Sequence, residues 1–191
     1  KNKVDVIDLE KTSDLLTKAE EFVAGLSKDG KKILFVGTKA EAQEVTRGAA
    51  DALKMPYVTN RWIGGTLTNF SEIKRRVDIL VDLKDKKVKG LLEKYTKKEQ
   101  SDFSRQINKM EGYFGGLVGM DKKPDALFII DVKKEINAVK EAIQLKIPVI
   151  TISSTDCDIS EVTYPIVAND AAILSLKLLT NKIVSAFRDA K

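Results

Sequence analysis

The stretch Asp125-Ala126-Leu127-Phe128-Ile129-Ile130-Asp131 decides the fold, because it places five apolar residues in a row between two acids. A strand that is buried on both faces has this pattern, whereas a strand with one solvated face alternates apolar and polar residues. Two more stretches are of the same kind, Lys32-Ile33-Leu34-Phe35-Val36 and Ile147-Pro148-Val149-Ile150-Thr151-Ile152. The sequence therefore predicts a parallel sheet that is covered by helices on both sides.

Segments with helical spacing alternate with these strands along the chain. Helices are predicted after Thr12-Ser13-Asp14, over residues 40–53, over Glu135 to Leu145 with Ile136, Val139, Ala142 and Ile143 inward, and after the capping residues Asn169-Asp170. Shorter strands are predicted at Tyr57 to Thr59 and Tyr164 to Val167, and a strand or an extended entry at Val4 to Leu9. The alternation predicts one α/β domain with right-handed crossovers.

A helical pair interrupts the alternation between residues 66 and 117. Phe70, Ile73, Val77 and Leu80 follow 3-4-3 spacing, and Phe103, Ile107, Met110, Phe114 and Leu117 follow the 4-3-4-3 spacing of a heptad seam. Thr96 to Glu99 forms a capping-box pattern, and Gly115-Gly116 is suited to a helix end. We therefore expect a sheet domain of residues 1–65 and 118–191, with an antiparallel helical hairpin inserted at 66–117.

The excess positive charge lies in this interruption. Residues 71–123 contain 14 lysines and arginines against 9 acids, and the rest of the chain contains 19 of each. A neutral body with a basic appendage favours a polyanionic partner such as RNA. The alternative is a solvated coiled-coil arm with ordinary surface lysines, which would serve an interaction protein without an RNA role.

Several classes of site are excluded by composition. The chain has no histidine and one cysteine, Cys157. Ser-His-Asp triads, Cys-His dyads, internal disulfides, and zinc sites built from cysteine or histidine are therefore not possible within it. We predict no catalytic residue, no metal and no cofactor. No apolar run approaches the ~20 residues of a membrane span, so a membrane partner is not expected.

The ends of the predicted strands offer weaker signals. Gly37-Thr38-Lys39 lies between a strand and a helix but lacks the glycines of a phosphate-binding loop, so it is interpreted as a turn, with a phosphate contact by Lys39 as the alternative. The acids Asp131, Asp156 and Asp158 are interpreted as capping residues, and two of them flank Cys157 and should raise its pKa. A nucleotide- or small-molecule-binding enzyme stays open as the alternative function, because doubly wound folds bind ligands at this edge.

The loop Asn60-Arg61-Trp62-Ile63-Gly64-Gly65-Thr66 combines an arginine, the single tryptophan, two glycines and polar side chains. Arginine can clamp phosphate, and tryptophan can stack on a base or fill a core. We expect Trp62 to lie mainly in the core at the base of the hairpin, and Arg61 to contact a ligand.

Several stretches resemble one known family in collinear order. They are Leu34-Phe35-Val36-Gly37-Thr38-Lys39, Met55 to Phe70 with Ile73-Lys74-Arg75, Leu92 to Glu99, Gly115-Gly116, Pro124 to Asp131, Ile147-Pro148-Val149, Asp156-Cys157-Asp158 and Asn169 to Ile173. Together they closely resemble the family of small-ribosomal-subunit protein two, of bacterial type. The stretch from Met55 to Phe70 is the most specific of these matches.

The resemblance implies a flavodoxin-like three-layer α/β/α body with a protruding coiled-coil hairpin. It implies a structural constituent of the small ribosomal subunit, on a cytoplasmic or organellar ribosome, that binds ribosomal RNA, not DNA, near the head–body junction. It implies protein partners that include the mRNA-handling first protein of that subunit, and a further N-terminal segment with histidine and aromatic residues. The RNA contacts that it implies are Asn60, Arg61, Thr66, Thr68, Asn69, Lys74, Arg75, Arg76, Lys97, Lys98, Arg105 and Lys109.

Overall fold

The computed structural model describes residues 5–190, and within them the strands form one parallel sheet. The strands are Ile33–Val36 (β1), Tyr57–Val58 (β2), Ala126–Ile130 (β3), Val149–Ser153 (β4) and Tyr164–Val167 (β5). Their spatial order is β2-β1-β3-β4-β5, and every neighbouring pair is parallel. This is the strand order of flavodoxin-like folds, so the predicted fold class is confirmed.

Helices lie on both faces of the sheet. They are Leu9–Lys28 (α1), Ala40–Leu53 (α2), Phe70–Val88 (α3), Lys97–Phe114 (α4), Ile136–Gln144 (α5) and Ile173–Asp189 (α6). Successive residues of β3 point to opposite faces: Phe128 joins a core with α1, α2 and α6, and Leu127 and Ile129 join a second core with α5, α3 and α4. No helix of residues 5–190 combines the length and apolarity needed to cross a bilayer.

The predicted helical pair is formed by α3 and α4. Ile73, Val77, Leu80, Ile107 and Phe114 are all buried in the second core, as their spacing predicted. The predicted capping box is present, because the Thr96 hydroxyl accepts from the Glu99 N–H and the Glu99 carboxylate accepts from the Thr96 N–H. The inward faces and the start of α4 therefore follow from local sequence.

Contacts between the two limbs show that they run antiparallel. Lys74 Nζ, near the start of α3, lies 3.3 Å from Asp121 Oδ1 beyond the end of α4, and Lys84, further along α3, pairs with Glu111 inside α4. Partner numbers thus fall as residue numbers rise. The coiled-coil packing of the pair, its protrusion, and the division into 1–65, 66–117 and 118–191 stay predictions.

The prediction of a strand or an extended entry from Val4 to Leu9 is wrong as to the strand, although the backbone of Asp8 is extended. Residues 5–8 form no strand, and Leu9 begins α1; Val4 lies outside the described residues. The reason is the Asp8 side chain, which accepts from the N–H groups of Glu10 and Lys11 at 3.1 and 3.4 Å. A carboxylate that satisfies free N–H groups starts a helix, so α1 begins before the predicted cap at Thr12.

Two further local predictions were wrong. Ala172, not Asn169 or Asp170, is the N-cap of α6. Asn169 Oδ1 accepts instead from the N–H groups of Ala171 and Ala172 in the turn before the helix, and Asp170 is buried in an ion pair with Lys39.

The inner face of α5 is also rotated from the one that was predicted. Val139 and Ala142 are buried, as predicted. Ile136 and Ile143, however, are 39% and 36% exposed, whereas Ala138 and Glu141 are buried in their place. The helix turns a charged residue inward because that residue has partners in another part of the chain.

Candidate nucleic-acid interface

The loop between β2 and α3 (residues 59–69, the β2–α3 loop) is partly a core element. Trp62 and Leu67 are buried and belong to the second core. Gly65, with φ of +91°, supplies a left-handed backbone that other residues rarely adopt. The loop is thus fixed to the sheet by its apolar side chains, and Trp62 lies in the core as expected.

The side chain of Glu141 on α5 accepts hydrogen bonds from this loop. Its Oε1 accepts from Trp62 Nε1 at 3.0 Å and from the Gly65 N–H at 2.8 Å. Its Oε2 accepts from the Leu67 N–H at 3.0 Å and from the N–H and hydroxyl of Thr68, both at 3.1 Å. One buried carboxylate therefore fixes the loop through five donated hydrogen bonds.

The electrostatic state of Glu141 follows from these donors. Burial alone would raise the pKa of Glu141, but the hydrogen bonds from Trp62 and from the backbone of Thr68, Leu67 and Gly65 outweigh burial and lower it. Glu141 is thus an anion at neutral pH. This role of Glu141 was not predicted from the sequence. The one sequence feature that could have indicated it is a single acid in a helix, close to the alanines Ala138 and Ala142.

The predicted contact residues of the loop fall into two groups. Asn60, Arg61 and Asn69 are exposed, and Asn69 precedes α3 without a side-chain capping bond. Thr66 is buried, and its hydroxyl donates to the Ile63 carbonyl at 2.6 Å. The Thr68 hydroxyl donates to Glu141. Two of the five side chains therefore shape the loop, and three face outward.

The predicted basic residues of α3 have acidic neighbours. Arg75 contacts both carboxylate oxygens of Glu72 at 3.1 Å, and Arg76 Nε lies 3.2 Å from Glu72 Oε1. The hydrogen bond from Arg75, followed by the charge of Arg75, holds the pKa of Glu72 below its ordinary value. Lys74 pairs with Asp121. All of these pairs reach the surface, where an ion pair adds little stability and can exchange partners.

The predicted residues of α4 are spread along its length. Lys97 and Lys98 are exposed in its first turn, and Lys109 is exposed near its other end. Arg105 Nη2 lies 2.7 Å from Asp102 Oδ1. An 18-residue helix is about 27 Å long, so Lys97 and Lys109 cannot touch the same phosphate.

The structure brings Asn60, Arg61 and Lys109 together. They line one surface cavity of about 370 Å³ with Asn108 and Tyr113. Within residues 5–190, neither Arg61 nor Lys109 is in an ion pair. Two cations and an amide thus meet where the loop touches α4.

The carboxyl end of the sheet, where this fold class binds ligands, is occupied by the chain's own charges. Lys39 Nζ lies 3.4 Å from Asp131 Oδ2 and 3.2 Å from Asp170 Oδ1. Burial alone would lower the pKa of Lys39, but Asp170 and Asp131 outweigh burial and raise it. The lysine is therefore charged and held by two acids, which does not favour the alternative of a phosphate contact.

A second buried glutamate lies beside this edge. Glu135 Oε1 accepts from the Thr38 N–H at 3.2 Å and from the Thr38 hydroxyl. Burial raises the pKa of Glu135, and these bonds only partly offset that effect. The turn at Gly37-Thr38-Lys39 is thus fixed by internal partners, as the structural interpretation expected.

The other two acids that were predicted near this end of the sheet accept hydrogen bonds in a turn or form an exposed ion pair. Asp158 accepts from the N–H and hydroxyl of Ser160 at 3.0 and 2.7 Å, and Asp156 pairs with Lys133 at 2.8 Å. The pKa of Cys157 is raised, as predicted, although burial is the largest cause and the acids add to it. The Cys157 thiol donates to Asp156 Oδ1 at 3.7 Å, and its raised pKa keeps it protonated and a weak nucleophile.

Fold and site together define a three-layer α/β protein in which two cations that are unpaired in the described part of the chain, Arg61 and Lys109, meet where the β2–α3 loop touches α4. The chain belongs to the ribosomal protein S2 family, whose model matches residues 1–190. It is a structural, non-enzymatic family of the small ribosomal subunit. The enzyme alternative is therefore not supported.

Curated relatives agree over the whole chain. The small ribosomal subunit protein uS2 of Dictyoglomus thermophilum is 46% identical over all 191 residues, which cover 78% of that protein. The uS2 of Coprothermobacter proteolyticus is 44% identical over the full chain and 71% of its own length. A protein named uS2c from Mesostigma viride is 42% identical over the full chain and 84% of its own length.

Proposed function

We propose that the chain binds small-subunit ribosomal RNA through the β2–α3 loop and the basic side chains of α3 and α4. The observation that supports this most is the meeting of Asn60, Arg61 and Lys109 around one cavity, beside a loop that Glu141 holds in place. A cation on a fixed loop contacts phosphate with little loss of conformational entropy on binding. The loop residues give position, and the basic residues of the helices give affinity.

The mode of binding is backbone recognition. Lysines and arginines that neutralise phosphates release counterions, so affinity falls with salt, and such contacts orient a protein without reading sequence. The pairs of Lys74, Arg75, Arg76 and Arg105 with acids do not oppose this, because exposed ion pairs are weak. Lys97 and Lys98 extend the contact to the far end of α4.

The test measures incorporation and salt dependence. We expect Arg61→Ala, and separately the triple change of Lys74, Arg75 and Arg76 to alanine, to lower the fraction of tagged protein that sediments with small subunits. In filter binding to small-subunit rRNA, Arg61→Ala should weaken affinity and reduce the salt slope by about 1.

The matched control is the triple change of Lys11, Lys18 and Lys28 to alanine, since these three are exposed on α1. It removes the same charge from the opposite side of the sheet. Equal incorporation of all variants at raised salt would overturn the proposal.

Contacts with neighbouring proteins belong to the same proposal. The family's place in the small subunit supports them, and the mRNA-handling first protein is the partner that we expect. Small subunits depleted of this chain should also lack that protein, and adding the purified chain should restore it; its retention in depleted subunits would contradict this part.

A further inference from the structure

A second cleft adjoins the cavity of Asn60, Arg61 and Lys109, and of the contacts proposed above it includes Asn60 alone. It lies over β2, between α2 and the end of α4, and has a volume of about 520 Å³. Gln43, Arg47, Tyr57, Asn60 and Tyr113 line it. At Asn60 and Tyr113 it continues into the cavity that contains Arg61 and Lys109. We call the two together the edge cleft.

Two glycines let α4 approach the sheet here. A Cβ on Gly116 would lie 2.2 Å from the Tyr57 carbonyl oxygen, and a Cβ on Gly112 would lie 2.8 Å from Asn60 Nδ2. As predicted, α4 ends at Gly115-Gly116: Gly115 is its C-cap, has φ of −56° and opens a short 3-10 turn. The close approach forms one wall of the edge cleft.

The chemistry of the walls fits an unpaired nucleotide. Tyr57 and Tyr113 are half-buried aromatic rings, which offer stacking surfaces for a base. The Asn60 side chain makes no hydrogen bond within residues 5–190, and an amide offers both a donor and an acceptor to a base edge. As the edge strand, β2 also turns backbone polar groups toward this side.

The charge around the edge cleft favours phosphate. Arg47, Arg61 and Lys109 lie along it, and Arg47 has only a 3.7 Å contact to exposed Asp51. The two acids on its rim have cationic partners of their own, since Glu111 pairs with Lys84 and Glu44 lies 3.9 Å from Lys177. Positive charge is therefore in excess at the end of the cleft that holds Arg61 and Lys109, whereas charges are balanced at the Arg47 end.

We propose that the edge cleft binds one unpaired, unstacked nucleotide of RNA. The base lies against Tyr113 with its polar edge at the Asn60 amide, and the adjoining phosphates contact Arg61 and Lys109. A volume of about 520 Å³ is within the range of small-ligand pockets, and proteins read RNA chiefly at such splayed bases. An added peptide strand fits less well, because β2 has only two residues.

This inference rests on the proposed RNA binding, and one experiment separates the two. Filter binding of the full chain to small-subunit rRNA compares wild type with Tyr113→Leu, which removes the ring but keeps an apolar side chain. Loss of one base stack should weaken affinity about 5- to 100-fold with the salt slope unchanged. Tyr113→Phe, which keeps the ring, should lose less than Tyr113→Leu.

The control is Tyr164→Leu, because Tyr164 is a half-buried tyrosine that stacks on Phe22 at 4.2 Å in the other core. It should bind RNA as wild type does. Ultraviolet cross-linking of the wild-type chain to the same RNA gives a second readout that no variant's folding can disturb, and we expect cross-linked nucleotide on the peptides of Tyr57 or Tyr113.

The outcomes are distinct. No binding by wild type would overturn the proposed function itself. Wild-type binding with equal affinity of Tyr113→Leu, or cross-links confined to other peptides, would overturn the nucleotide site alone. Unchanged RNA affinity with poorer incorporation of Tyr113→Leu would assign the edge cleft to a protein neighbour and overturn the proposal.

Discussion

Glu135 is the N-cap of α5, and Glu141 lies in the second half of the same helix. Both glutamates are buried, but the regions that they fix differ in how their charges are paired. Glu141 receives five hydrogen bonds and fixes a loop whose arginine stays free. Glu135 receives two, both from Thr38, beside an edge where Lys39 is held by two acids. A carboxylate with enough donors is stable as a buried anion, and one with few is not.

The same contrast bears on the RNA contacts proposed above. Where β1, β3 and β5 end, Lys39 is paired with Asp131 and Asp170, so little of its charge is left for a ligand. On the β2–α3 loop, the anion lies inside and is satisfied by neutral donors, so the cation outside keeps its charge for a partner. Burying the anion under the loop therefore separates structural charge from functional charge.

The largest effect is expected from Glu141→Leu. It leaves the Trp62 N–H and three backbone N–H groups without an acceptor in a buried place, so unfolding in urea should show a loss of about 3 to 5 kcal/mol. Glu21→Leu, at an exposed position of α1, is the control and should change little. A loss below about 1 kcal/mol would mean that the loop is held by its apolar side chains alone.

A smaller loss is expected from Lys39→Met. Asp131 and Asp170 then face each other without a cation, and the free energy of unfolding should fall by about 2 kcal/mol. Adding Asp170→Asn should recover part of that loss, because one of the two like charges is removed. A double-mutant cycle with no coupling energy would contradict the account of this edge.

The two glutamates should also differ in the sign of their pH dependence. The pKa of Glu141 is lowered in the folded state. Its contribution to the free energy of unfolding is therefore present above pH 4.5, the ordinary pKa of a glutamate, and is lost as pH falls through the folded pKa. The pKa of Glu135 is raised in the folded state. Its contribution to the free energy of unfolding is therefore present at and below pH 4.5 and is lost as pH rises through the folded pKa.

Urea unfolding from about pH 3 to about pH 7 measures this difference. Relative to wild type, Glu141→Gln should lose most stability at neutral pH. Glu135→Gln should lose least there, because a neutral amide oxygen can accept the same bonds from Thr38. Parallel pH profiles for the two variants would show that the two sites do not differ as described.

The smallest effect is expected from Glu72→Gln, because Glu72 lies on the side of α3 that reaches the surface. It releases Arg75 and Arg76 from their shared acid, so affinity for small-subunit rRNA should rise about twofold, while the urea midpoint stays unchanged. Asp78→Asn, at an exposed position of the same helix, controls for the change in net charge. A lower affinity of Glu72→Gln would indicate that Glu72 positions the arginines for binding.

Much of the fold was predictable, because the buried face of each helix or strand is marked by a characteristic spacing of apolar residues. The apolar run of β3, the seam through Ile73, Val77 and Leu80, and the capping box at Thr96 are all as their local patterns predicted. The start of α1 was missed because Asp8 supplied a stronger cap than Thr12 did. Local patterns decide element type well, but competing caps decide the boundaries.

The site was predictable only in outline. The basic segment and the loop from Asn60 to Asn69 were visible in composition and resemblance, and Arg61 is exposed as a contact residue must be. The burial of Thr66 and the bond from the Thr68 hydroxyl to Glu141 were not visible, because the partners of both hydroxyls depend on how the loop folds. The rotation of α5 was missed for the same reason, since the inward residue was a charged one.

The sequence by itself determined the α/β class, the apolar faces of the helices and the position of the excess positive charge, because each depends on residues that are near one another along the chain. Only the tertiary structure decided which charges are free. Trp62 and Thr68 meet Glu141 across 79 and 73 residues of sequence, and Lys39 meets its acids only where the strand ends converge. Hydrogen bonds and ion pairs between distant segments follow no local period, so their partners emerge only when the chain folds.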